Sequence, residues 1–280
     1  IKNFSVAGSV IGRNHVAGIL GTLTNGTVQQ VYNEATIEGN NNVGGIVGYI
    51  GQGTITQTYN RGEILGNTAV GGVVGYAYAA YNSRQNTITH SYSAGEVSAN
   101  NTSVGGVIGS AGKLYNTAAN NKLAYYCTVE NCVNNGKVSY CCLSQGQQLY
   151  YGGVAGATHA KVISCKNNGS VTFLAETEQV KPTLYMAGIA GVSSGDFTDC
   201  HNVGTLTIDN IDFGYWVGLA GITGRCVNTP AMTVSDCTNS GKIQVDFTAS
   251  GNQVHNVAGL VAIATDGNIS ILNCHNTGEI

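Results

Sequence analysis

Hydrophobic positions along this chain come in short bursts, each interrupted within a few residues by glycine or a polar side chain. One burst is a glycine-centred hexamer that recurs from end to end: VAGILG at 16, VGGIVG at 43, VGGVVG at 70, VGGVIG at 104, YGGVAG at 151, MAGIAG at 186, WVGLAG at 216 and VAGLVA at 257. A second element follows each copy, on the template apolar-x-x-Cys/small-x-Asn-x-Gly-x-Ile/Val, as in ITQTYNRGEI from Ile55 and VENCVNNGKV from Val129. Successive hexamers lie 27, 27, 34, 47, 35, 30 and 41 residues apart, so a coil of 27 is the minimum and the rest is insertion.

No segment sustains a 3.6-residue period. Each coil offers three β-prone pieces, such as GGIVGYI, TITQTYN and GEILG in the coil opening at Val43. A repeat this short cannot bury its apolar face alone, so the coils must stack. The pattern predicts an all-β chain: one parallel β-helix (β-solenoid) over residues 1–280, right-handed, with about eight coils and three strands per rung. The chain opens on IKNFSVAGSV, a further copy of the second element, and closes on ILNCHNTGEI, which reads as an excerpt of a longer protein.

Stacking turns repeat positions into columns. Val31, Thr58, Ser91, Cys132, Cys165, Cys200, Cys237 and Cys274 share one inward position, where an unbonded cysteine behaves as a small hydrophobe. Two residues on stand Asn33, Asn60, Ser93, Asn134, Asn167, Asn202, Asn239 and Asn276, whose amides are expected to bond along the axis. Two further on come Gly62, Gly95, Gly136, Gly169, Gly204, Gly241 and Gly278, which suggest a positive-φ corner.

The pairing of VGGIVG with TYNRGEI, repeated over essentially the whole chain, resembles the GLUG-type repeat of bacterial cell-surface proteins. The resemblance implies a secreted or surface-exposed β-solenoid of adhesin-like character. Some surface proteins with such repeats are zinc metallopeptidases, but HExxH occurs nowhere here, so that activity is not carried across.

Candidate chemistry is sparse. Cys127, Cys141, Cys142 and Cys226 fall outside the cysteine column, and a disulfide from Cys127 to Cys141 or Cys142 is open. The chain has no Cys-x-x-Cys pair and its six histidines are dispersed, so neither a metal nor a cofactor is expected. Asp196 with Asp199, or Asp209 with Asp212, are the nearest carboxylate pairs for a polysaccharide-cleaving β-helix, yet Asp199 shares a polar repeat position with Gln30, Gln57 and His90 and reads as solvated strand surface.

The insertions carry more information. Residues 139–150, 172–185, 207–215 and 244–256 lengthen four adjacent coils at one point, which would gather their loops on one edge. Three of them end at Tyr150, Tyr185 and Tyr215, each read as the residue before a hexamer. An outward tyrosine column there serves either as a platform for a glycan or a host protein, or as a cover for the loop bases. Tyr32, Tyr59 and Tyr92 form a second column, read as cross-rung stacking.

Composition narrows the classes. The 280 residues include 40 glycines, 2 prolines and only 10% Asp, Glu, Lys or Arg, against about 25% in an ordinary domain, and the net charge is −3. Basic residues are scattered, so nucleic acid is not expected as a partner, and no apolar run is long enough for a transmembrane segment. The favoured function is a non-enzymatic structural or adhesive module of a secreted or cell-surface protein. A carbohydrate-active β-helix enzyme is the alternative, and a filament subunit with head-to-tail self-association is a third.

Overall fold

A computed structural model describes residues 1–78, 85–112, 127–140, 148–174, 183–209, 216–227, 231–246, 254–265 and 268–280. The described residues form strands, turns and bends, with no helix, and every pairing between strands is parallel. The fold is the parallel β-solenoid expected from the repeats.

A coil passes through four sheets. In the coil opening at Val43 the strands are Asn41–Gly44, Val47–Ile50, Gly53–Thr56 followed by Tyr59–Asn60, and Ile64–Gly66. Their copies stack in register into an opening sheet, a closing sheet and a return sheet of eight strands each, and a long sheet of 16. The opening and closing sheets, with one strand from each coil, count eight coils among the described residues.

The six inner rungs hold five short strands each where three are expected, because two predicted strands are broken. The hexamer bends at its glycines, dividing GGIVGYI between opening and closing sheets. TITQTYN breaks at Gln57, which takes a left-handed φ of 53°. The same backbone recurs at Gln30, His90, Asn131, Ser164, Asp199, Asp236 and Asn273, all at the residue before the cysteine column. The positive-φ corner therefore lies there and not at the Gly62 column. Amide, imidazole and carboxylate side chains predominate at these positions, and Asn, Asp and His tolerate this conformation better than most residues.

Glycine at the Gly62 column has a different cause. A Cβ on Gly136 would overlap the carbonyl oxygen of Gly95 one rung below, and Gly169 stands in the same relation to Gly136. The corners stack too closely for any side chain.

The core is divided. Ile46, Val47, Ile50, Ile55 and Cys132 belong to one apolar cluster, between the closing sheet and the first half of the long sheet. Val43, Ile64, Val97, Tyr151 and Phe173 belong to a second, between the opening and return sheets. The asparagine column stands between them, fully buried at Asn33, Asn60, Asn134, Asn167, Asn202 and Asn239. Amide-to-amide bonds run Asn134 to Asn167 at 2.9 Å, Asn167 to Asn202 at 2.9 Å, Asn202 to Asn239 at 2.7 Å and Asn239 to Asn276 at 2.7 Å. Each Nδ2 also donates to the carbonyl two residues on, as Asn167 does to Gly169 at 2.9 Å. The facing wall is the glycine at the third position of the hexamer: a Cβ on Gly153 would overlap the Asn167 amide, and one on Gly221 the Asn239 side chain.

Cys132, Cys165, Cys200 and Cys237 are buried free thiols stacked in one column, with Cys274 half-buried at its end. They bond to backbone: Cys165 Sγ donates to the Val129 carbonyl at 3.4 Å and to Ile163 at 3.3 Å. Burial raises the Cys165 thiol pKa, and its neighbour Cys132 adds to the shift. Cys127 and Cys226 are buried free thiols as well, whereas Cys141 and Cys142 lie outside the described residues.

One hexamer is displaced from its expected start. Strand pairing sets Met186 beside Leu219 and Leu219 beside Val257, so the seventh coil begins at LAGITG and not at Trp216. WVGLAG and LAGITG overlap and both fit the spacing, but only the second places Gly221 against Asn239.

Candidate functional site

The four insertions leave the return sheet after Val138–Tyr140, Val171–Leu174, Leu206–Asp209 and Ile243–Asp246. They re-enter the opening sheet at Gln148–Gly152, Thr183–Ala187, Trp216–Ala220 and Val254–Ala258. These flanking strands pair in consecutive order, so all four insertions spring from one edge on neighbouring rungs. Residues 141–147, 175–182, 210–215 and 247–253 lie outside the described residues.

The entry strands explain where tyrosine is allowed. In the first four coils the residue before the hexamer, His15, Asn42, Ala69 or Ser103, has a left-handed φ between 54° and 57°. In later coils no left-handed residue interrupts the strand, which runs for five residues. Tyr150 and Tyr185 occupy the position only there, where the backbone is extended.

Tyr150 and Tyr185 are adjacent in register, their rings stacked with centroids 6.1 Å apart. They are not an exposed platform. Tyr185 is only 3% exposed, in an outer apolar cluster with Val192, Val227 and Ile263 against which half-buried Tyr150 packs. The third expected member is absent from the column: Gly218 is the residue beside Tyr185, and Tyr215 lies outside the described residues.

Sequence reading missed the cation at this site. Arg225, in the closing-sheet strand Thr223–Cys226, sets its guanidinium carbon 5.0 Å from the Tyr185 ring centroid and donates from Nη1 to the Tyr185 hydroxyl at 2.9 Å. The only signal was a lone arginine in a column whose neighbours are Val192 and Ile263. Burial raises the Tyr150 hydroxyl pKa, with Tyr185 adding to the shift and Arg225 opposing it.

On the long sheet, the Tyr32 ring lies tilted against Tyr59 with centroids 6.4 Å apart, Tyr59 stacks on Tyr92 at 4.7 Å, and Arg61 Nε donates to the Tyr59 hydroxyl at 2.9 Å. Tyr59 and Tyr92 turn their ring faces toward each other, 11° from parallel, which spends those faces on cross-rung packing.

The carboxylates are engaged locally. Asp196 accepts the Thr233 backbone N–H at 2.8 Å, and Asp236 accepts from Asn273 at 3.2 Å. Asp199 accepts from Ser164 at 2.8 Å and meets His201 Nε2 at 3.0 Å, and His201 Nδ1 lies 2.8 Å from the Thr238 hydroxyl. Asp209 stands beside Asp246 in backbone register at the exit of the insertions, and Asp212 is outside the described residues. Among the described residues no group of three or more His, Cys, Asp or Glu is placed to hold a metal. Compared with family models, curated proteins and solved structures, the chain finds no match in any of the three.

Proposed function

We propose that this chain is a non-enzymatic structural or adhesive repeat module of a secreted or cell-surface protein, in which stacked rungs hold a row of loops against a glycan or protein ligand. The observation that carries the reading is the shared origin of four insertions on one edge of consecutive rungs. Loops gathered on one side of a repeat array form an extended contact surface. Rigid strands on either side reduce the ordering cost of binding. The repeat pattern, similar to GLUG-type surface repeats, supports the same reading.

The test is to shorten residues 175–182 and 210–215 to a two-residue corner like Gly39-Asn40, which joins Thr36–Glu38 to Asn41–Gly44. Native and shortened proteins are then compared on glycan and host-protein arrays. The reading expects binding by the native chain, its loss in the shortened protein and a melting temperature within a few degrees. Equal binding by both proteins, or none by the native chain, overturns it.

A further inference from the structure

Among the described residues, Arg225 has no charged partner. Its column neighbours are Val192 and Ile263, so the closing sheet supplies no acid beside it. The ion pairs among the described residues are Lys137 with Glu96, His201 with Asp199 and Lys242 with Glu279, none involving Arg225. Its Nε is buried with no hydrogen-bond partner, and the acceptor it does reach is the neutral Tyr185 hydroxyl. A guanidinium stays charged at all ordinary pH and presents five donors in a planar fork. The ring beneath it and one hydroxyl satisfy only part of that fork, and a planar carboxylate is the group whose geometry completes it.

The surroundings narrow the ligand. Half-buried Tyr150, stacked on Tyr185, brings aromatic surface next to the cation, and both tyrosines stand in strands where the insertions re-enter. A sugar ring packs its C–H face on the part of Tyr150 left exposed while a carboxylate on that ring meets the guanidinium. We propose that Arg225, seated on Tyr185 beside Tyr150, anchors a carboxylate-binding subsite for an acidic sugar unit. The proposal rests on the reading of this edge as the ligand-binding face and names the class of ligand.

The experiment follows the Arg225 Nε–H signal in the full chain labelled with ¹⁵N-arginine, during titration with sodium glucuronate, glucose or sodium acetate. Glucuronate is expected to shift the signal saturably, acetate to do so at least tenfold more weakly, and glucose not at all. Arg225→Lys keeps the charge but lacks the fork. With its melting temperature retained, it should lose the saturable glucuronate response read on the Tyr150 and Tyr185 ring signals. Absence of a saturable glucuronate response, or an undiminished response in Arg225→Lys, overturns the subsite. A response to acetate as strong as that to glucuronate overturns the sugar assignment. Array binding without an Arg225 response removes this proposal and leaves the module reading intact, whereas a native chain that binds nothing on the arrays removes the reading on which the proposal rests.

Discussion

Asn202 donates from Nδ2 to Asn239 Oδ1 at 2.7 Å and to the Gly204 carbonyl at 3.0 Å, joining two rungs and closing its own corner with one amide. Both side chains are fully buried. Because the donors of one amide face the acceptor of the next, the column acts as a spine between the two apolar clusters, and its value depends on continuity.

Continuity fails at Ser93, whose hydroxyl is buried with no partner, between Asn60 and Asn134. Ser93→Asn should rejoin the two segments and stabilise the protein by about 1 kcal/mol. Asn167→Ala should cost about 2 to 4 kcal/mol, since it strands the Asn134 donor and the Asn202 acceptor together. Urea midpoints for both variants check the pair. A stabilising Asn167→Ala would show that the column is not a spine.

Gly136→Ala should destabilise by about 3 kcal/mol or more, because its Cβ has no room above the Gly95 carbonyl. Reduced secondary-structure signal and a lowered unfolding midpoint are the expected readouts. A near-neutral result would mean that the corner can widen without disturbing the rungs around it.

Burial raises the thiol pKa values of Cys127 and Cys226 from 9.0 to about 12. Since the folded values exceed the unfolded ones, the stability linked to these groups is fully present below pH about 9 and is lost as pH rises toward 12. Unfolding midpoints should hold steady from pH 7 to 8.5 and fall above about 9. A Cys127→Ala, Cys226→Ala double variant should fall less steeply. In the native protein at pH 8 an alkylating reagent should label half-buried Cys274 before Cys132, Cys165, Cys200 or Cys237, a ranking that mass spectrometry of digested samples can read.

The columns through Cys165, Asn167 and Gly169 were legible because a repeat prints the same stacking constraint eight times, so chance residues drop out of the pattern. Left-handed backbone at Gln57 or Asp199 was not, because a polar residue in that conformation leaves the same letters as one in a strand. The seventh coil was ambiguous for a related reason: WVGLAG and LAGITG share glycines three apart, and only contact with Asn239 separates them. At the candidate site, the shared corner of the insertions could be read from spacing, whereas the placement of Arg225 over Tyr185 could not. That contact joins residues in different sheets of neighbouring rungs, and one arginine is not a periodic signal.

Tyr150 and Tyr185 differ in burial although they hold one repeat position, and mutation should separate them. Tyr185 is 3% exposed, holds the Arg225 cation and lies in the cluster with Val192 and Ile263. Tyr185→Ala should cost about 3 to 5 kcal/mol, the range for removing a buried aromatic ring, with an added penalty for leaving the guanidinium without its hydroxyl acceptor. Tyr150 is half-buried and bonds to exposed Gln148 at 2.6 Å, so Tyr150→Ala should cost about 1 to 2 kcal/mol. Tyr185→Phe isolates the hydroxyl: it keeps the ring under Arg225 and should cost about 1 kcal/mol. Chemical denaturation of the three variants measures the order Tyr185→Ala, then Tyr150→Ala, then Tyr185→Phe. If Tyr185→Ala proved as mild as Tyr150→Ala, the ring would have to be far more exposed than its place in this cluster allows.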